Sequence, residues 1–488
     1  MRKFSLKATA WKWLIVGHRW LGVGTCLLFA LWFATGLVMM YVGFPEYTRE
    51  DRLSRLEPLD WQQVRISPER VLHGLALGEF PRDFHLEMML GEPVYRISAA
   101  GWPLQTVSAS TGRMIENVDA QTARAVVERA TGEKVAYVET LERDQWTVTE
   151  AFTAHRPLHR VVLEDERGLE LYVSSRTGEI VLDTTARERG WNWAGAVLHW
   201  LYFTELRAKP TLWSRVVLWT SGVCIVVAIT GLWLGIDRLR IRRRSGNASI
   251  TPFRGWMAWH HVAGVIGGVF VLTWIFSGWL SMEPQVPWSR ELDPRRPAAA
   301  SLTLAGTNEP EFPASMEALA ALQGADAREA ALMWALDAPQ IVLTNGEGER
   351  TVIDARSGEP RAFSDEMLRA RAAYAVPRAA LAASERLVHE DAYWYSRRGT
   401  PTLPVLRFKF DDEEQTWMHV DPTTGRLVGW LRKSDRMQRW LFNGLHSFDF
   451  RWLLAHRPAW DVLMWVLSIA GLTICTTSIV IAVRVLRR

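Results

Sequence analysis

HRWLGVGTCLLFALWFATG (residues 18–36) and HHVAGVIGGVFVLTWIFSG (residues 260–278) decide how this chain is read. Laid side by side without a gap, they match His18 to His260, Gly22 to Gly264, Trp32 to Trp274 and Thr35-Gly36 to Ser277-Gly278, all at an offset of 242. Each belongs to a nearly charge-free stretch, and crossing the hydrocarbon of a bilayer takes about 20 such residues. Four stretches qualify: 14–42, 212–236, 257–282 and 460–483. The pattern predicts a membrane protein with four transmembrane helices, built as two copies of a two-span unit.

The copies also match outside the spans. RPLHRVVLEDERGLELYVSSRTGEIV holds Pro157, Arg160 and Gly178, and LPVLRFKFDDEEQTWMHVDPTTGRLV holds Pro404, Arg407 and Gly425, each 247 residues later. From those glycines the chain runs 21 residues to His199 in one copy and to His446 in the other. Alternating apolar residues in both long loops, with turns at Thr111-Gly112, Thr177-Gly178, Ser357-Gly358 and Thr424-Gly425, predict antiparallel hairpins. Helical periodicity in AQTARAVVERATG and PASMEALAALQG makes the loops α+β. The expected division is a first span at 12–43, a loop domain at 44–190, a His-bearing interfacial helix with the second span at 191–237, and a basic loop at 238–254. A third span at 255–283, a second loop domain at 284–435, and a further His-bearing helix with the last span at 436–488 complete it.

Basic residues cluster at one set of span ends. Arg2, Lys3, Lys7 and Lys12 precede the first, six arginines between Arg238 and Arg254 fill the short connection, and Arg484, Arg487 and Arg488 close the chain. Short basic segments stay in the cytoplasm, so both termini are expected inside and both long loops outside. Because each basic run abuts a span, nucleic-acid binding is not expected. The first apolar stretch lacks a small-residue cleavage site and reads as a retained helix. Cys26, Cys224 and Cys475 all fall within spans and form neither a disulfide framework nor a C-x-x-C motif.

Four of the twelve histidines occupy repeat-matched positions at membrane depth or its edge: His18 with His260, and His199 with His446. His18 and His260 are expected within the first two turns of their helices, near the cytoplasmic face, and the other two near the outer face. Two facing imidazoles in a helix bundle suit a heme iron. On the face of His260 stand Gly264, Gly267 and Gly268; on that of His18 stand Gly22, Thr25 and Cys26, all small enough for a flat ring to approach. Small-residue spacing also serves plain helix contact, and a proton relay is the competing use of intramembrane histidine. The repeat favours His260 over its neighbour His261 as the ligand, with His261 pointing about 100° away. His155 and His159 flank Pro157 without histidine twins, and either is a candidate ligand contact. His73, His85, His389, His419 and His456 read mostly as surface residues.

The H-R-x-L-G start of the first span, the TGEIV and TGRLV hairpins, WNWAGAVLHWLYF, WHHVAG and GLHSFDF together resemble the PepSY-associated transmembrane family over essentially the whole chain. The resemblance implies an inner-membrane protein of Gram-negative bacteria with PepSY-like periplasmic loop domains. It is similar to di-heme siderophore reductases, which implies two b hemes and an oxidoreductase that passes electrons to a ferric siderophore or another ferric chelate. Reduction to Fe(II) weakens a hard-oxygen chelate and releases the metal. No G-x-G-x-x-G follows an expected strand, so the donor is expected to be a membrane quinol or another protein. Arg156, Arg160, Arg407 and His155 are candidate contacts for an anionic chelate. Two other classes compete: a heme-free PepSY-type sensor or regulatory membrane protein, and a proton-coupled transporter.

Overall fold

A computed structural model describes residues 6–244, 250–284, 293–397, 399 and 401–487. Arg2, Lys3 and Arg488, used above for orientation, lie outside the described residues. The chain divides into two compact units, one holding the long helices and one holding the strands.

Four helices form the first unit: α1 (Leu6–Met39), α2 (Pro210–Arg244), α3 (Trp256–Leu280) and α4 (Arg457–Leu486). Each is long and apolar enough to cross a membrane. They are apolar all round, with Leu27, Trp219, Ile266 and Val462 exposed while Phe33, Cys224, Trp274 and Trp460 are buried. That is the pattern of a bundle solvated by lipid. Helix α1 packs on α2 and α4, and α3 packs on the same two, so α1 and α3 stand diagonally across the bundle. The start of α1, the end of α2, the start of α3 and the end of α4 share one end of the bundle, called the terminal end; the opposite end is the loop end.

Two boundaries differ from expectation. Helix α2 continues to Arg244, so the first part of the basic segment is helical. Arginine is a good helix former, and cations at a helix C-terminus oppose its negative dipole end. Helix α1 starts at Leu6, which puts His18 twelve residues along it, deeper than two turns.

The first loop supplies β1 (Asp83–Met89), β2 (Glu92–Ser98), β3 (Gln105–Ser108), β4 (Met114–Ile115), β5 (Val135–Leu141), β6 (Leu158–Leu163), β7 (Glu170–Ser174) and β8 (Ile180–Thr184). The second supplies β9 (Glu329–Ala335), β10 (Ala338–Thr344), β11 (Arg350–Asp354), β12 (Leu381–Leu387), β13 (Val405–Phe410), β14 (Trp417–Val420) and β15 (Leu427–Leu431). Strands β5–β8 and β12–β15 form matching four-stranded antiparallel sheets. The turn glycines Gly178 and Gly425 adopt φ of 73° and 72°, the left-handed conformation their hairpins need.

The remaining strands join both loops in one seven-stranded sheet, ordered β11-β10-β9-β1-β2-β3-β4. Strands β1 and β9 meet antiparallel, with His85 opposite Ala331 and Glu87 opposite Glu329. His85 and Ala331 are equivalent positions in the two copies, so a local two-fold axis passes between them. One core runs under this sheet, from Phe84, Leu86 and Tyr95 of the first loop to Phe312, Leu332 and Ile341 of the second.

Candidate functional site

Short helices Ala186–Asn192 and Lys433–Arg439 each run into a π-helical turn, Trp193–Val197 and Trp440–Gly444, also 247 residues apart. Such turns widen a helix by one residue per turn and are frequent at functional sites. Two residues beyond each turn stands a histidine. His199 brings its Nδ1 to 3.0 Å from the Thr35 hydroxyl of α1, and His446 brings its Nδ1 to 3.1 Å from the Ser277 hydroxyl of α3. Gly36 and Gly278 lie beside those rings: a Cβ there would stand 3.5 Å from Cε1 of His199 and 3.4 Å from Cε1 of His446. The dipeptides Thr35-Gly36 and Ser277-Gly278, matched in the sequence, are the seats of the two histidines.

These two rings face each other across the loop end of the bundle, centroids 6.3 Å apart and planes at 74°. Two imidazoles sharing one metal at a bond length of about 2 Å place their centroids roughly 6 Å apart. The pair thus has the spacing of two axial ligands on one iron. With Nδ1 turned to a hydroxyl, a metal bond falls to Nε2, and a hydroxyl behind a ligating imidazole is the usual way to fix its orientation. Burial first, and then the neighbouring His446, push His199 down to about 3, keeping it in the neutral form that binds metal.

The terminal end repeats the plan. His18 sets Nδ1 3.2 Å from the Thr230 hydroxyl of α2, and His260 sets Nδ1 3.3 Å from Thr477 and 3.2 Å from Ser478 of α4. Thr230 and Thr477 are again 247 residues apart. The rings come from diagonal helices. A Cβ at Gly231 would stand 2.6 Å from Cε1 of His18, so only glycine fits there. Beside Gly22 and Gly264 a Cβ would meet nothing within 4 Å, which leaves the open space that a flat group requires. Gly267 and Gly268 instead pack against Ile474 and Leu232 of neighbouring helices, so the small-residue face narrows to Gly264.

The doublet resolves by direction. His261 is buried, and its Nε2 sits 3.0 Å from the Gly235 carbonyl of α2, on a different side of α3 from His260. At the loop end the ring spacing and hydroxyl supports of His199 and His446 fit two ligands of one heme iron; at the other end His18 and His260 share the same hydroxyl support from a neighbouring helix.

The loop candidates are engaged within their own sheets. Arg156 is buried and donates to the Thr153 hydroxyl at 3.0 Å and to the carbonyls of Thr147 and Thr149 at 2.7 and 2.9 Å. Arg407 is buried on β13 against Asp391 and Glu385, and its Nε donates to Nε2 of His419 at 2.8 Å. Arg160 pairs with Glu139 at 2.5 Å with its side chain partly exposed. His155 is half-buried with its Nδ1 unbonded among the described residues, and His159 is fixed by Thr140 and the Val118 carbonyl.

Two histidines read as surface residues are buried. His419 is enclosed under Trp394, stacked at 4.4 Å. His85 lies at the two-fold seam beside Asp83 and Glu87; burial opposes its charge, but the two carboxylates raise it to about 9. His419 carries no sequence signal, because Arg407 and Trp394 lie 12 and 25 residues away; His85 has its carboxylates two residues to either side, but nothing local shows that its strand is buried against a second one.

Four apolar helices, paired histidines at both ends and sheet-bearing loops define an α+β membrane protein with an internal repeat. The family model described as the PepSY-associated TM region matches residues 11–338, and the chain belongs to this family. Among curated proteins no match is found.

Proposed function

We propose that this protein is a di-heme b-type electron carrier that reduces a ferric siderophore or another ferric chelate and releases Fe(II). The observation that carries the reading is the His199–His446 pair, two repeat-related imidazoles at axial-ligand spacing with hydroxyl-supported Nδ1 atoms. Bis-imidazole heme supplies one-electron exchange. Thr230, Thr477 and Ser478 fix the rings of His18 and His260; Thr35 and Ser277 fix those of His199 and His446. His261, anchored on α2, acts as a neighbour and not as a ligand.

The basic terminal end supports a bacterial inner-membrane orientation with termini in the cytoplasm and loops in the periplasm. An electron from a membrane quinol or a protein donor enters near His18 and His260, crosses the bundle, and leaves near His199 and His446. Of the arginine candidates, Arg160 keeps the most open side chain for an anionic chelate, while Arg156 and Arg407 serve the sheets that present it.

The purified protein in detergent tests this directly. Dithionite-reduced minus oxidised spectra should carry b-type bands at two hemes per chain, and a ferric chelate added afterwards should reoxidise them. A colourless protein returns the chain to the heme-free regulatory class.

A further inference from the structure

Repeat-related residues ought to do the same thing, and one pair in the bundle does not. Trp32 donates its indole N–H to the His199 carbonyl at 2.9 Å. Its twin, Trp274, is only 9% exposed, yet its indole N–H has no acceptor among the described residues. The Trp274 ring lies instead against Phe33 of α1, centroids 5.3 Å apart, and edge-on to Phe448 at 6.3 Å. Leaving a buried donor unpaired is costly, so this ring position is maintained against a penalty that Trp32 avoids. Helix α4 makes room for it: a Cβ on Gly471 would collide with the Phe33 ring.

The place of this contact gives it a use. Trp274 stands one turn before Ser277, the seat of His446, and Phe33 stands two residues before Thr35, the seat of His199. Side chains on a helix lean toward its N-terminus, which for α1 and α3 is the terminal end. The two rings therefore close the bundle core on the terminal side of the His199–His446 pair, joining diagonal helices that otherwise face each other across the core. From His18 to Thr35 and from His260 to Ser277 the chain advances 17 residues, about 25 Å of helix. Phe33 and Trp274 stand at the loop end of that interval, two and three residues short of the seats, and are the first rings met on the way through the bundle from the His199–His446 site.

We propose that Trp274, in contact with Phe33, is the bridge through which the electron passes between the two histidine sites. The proposal rests on the two-heme reading above. One site gives up an electron as the other gains it; the indole stays neutral and closed-shell, and no bond or proton moves. The repeat is asymmetric here because one diagonal ring contact fills the core, while Trp32 remains free to hold the His199 backbone.

Reduced protein in vesicles, mixed with membrane-impermeant ferricyanide outside, should reoxidise in two phases. The heme near the loops goes first, and the other follows at the rate of transfer through the bundle. Trp274→Leu should retain both hemes and both midpoint potentials in an optical redox titration, leave the first phase alone and slow the second several-fold. An unchanged second phase with both hemes present overturns the bridge. If Trp274→Leu loses a heme, Phe33→Leu decides by the same criterion, since its ring is the other half of the contact. Wild-type protein that lacks heme overturns the cofactor reading itself, so the two failures are distinguishable.

Discussion

A histidine doublet at the start of a helix turns its rings about 100° apart, and here that angle separates two jobs. His260 faces Thr477 and Ser478, whereas His261 is bound to the Gly235 carbonyl. His260→Ala is expected to remove one heme in a pyridine hemochrome assay, while His261→Ala keeps two; the reverse result would assign the ligand to His261. Gly231 makes a second residue-scale prediction. A methyl group there meets the His18 ring at 2.6 Å, and the ring cannot retreat without leaving Thr230. Gly231→Ala should therefore lose the same heme that His18→Ala loses. His85 answers to pH. Its folded value of about 9 lies above the ordinary 6.5, so the proton it holds stabilises the fold. That contribution is complete below pH 6.5 and disappears as pH rises through 9. Thermal midpoints should fall across this window in the wild type and much less in His85→Gln; equal slopes would show that His85 does not carry the effect.

At the scale of elements, each candidate ligand is the junction of two pieces of chain that sequence distance hides. His199 follows a π-helical turn and rests on α1, 164 residues away from its hydroxyl partner Thr35; His446 rests on α3 at a separation of 169 residues. The sequence made the four histidines legible because the repeat marks them, and it made the spans and hairpins legible through apolar runs and turn glycines. The hydroxyl seats were visible as matched dipeptides, but their role was not, since nothing local links Thr35 to His199. Gly267 and Gly268 looked equivalent to Gly264 by helical phase, and only the neighbouring helices separate contact from open space. The seats can be tested as elements. Thr35→Val and Ser277→Ala remove the orientation of a ligating ring, and loss of such a partner typically weakens metal binding about 10–100-fold. Heme dissociation to apomyoglobin should accelerate correspondingly in each variant for the heme held by His199 and His446, with the other heme unaffected. Equal release of both hemes would indicate general loosening of the bundle instead.

Across the whole molecule, the two sequence copies are joined twice, once as a diagonal helix bundle and once as a continuous sheet. The second junction was not foreseeable from the hairpins: β1 and β9 each alternate like an ordinary strand, and an edge offers its backbone to any partner. What selects this pairing is a buried set of charges at the seam. Glu87 of β1 and Glu329 of β9 come together there, and Arg52 of the helix Arg49–Arg55 binds both. Arg96 also holds Glu87 at 2.8 Å, and Arg49 holds Glu329 at 3.1 Å. Two carboxylates opposite each other repel, and Arg52 is the one of these three arginines that contacts both of them. Arg52→Met leaves its aliphatic length but strands part of that negative charge, which in buried pairs costs about 3 kcal/mol or more. Because the seam is shared, the loss should reach both loops together: trypsin sites in the first and second loops become sensitive in parallel, at lower denaturant than in the wild type. Arg295→Met, which removes an exposed pair with Asp293, should leave both unchanged. Cleavage confined to the first loop in Arg52→Met would mean that the loops fold separately and that the seam is a contact between finished domains.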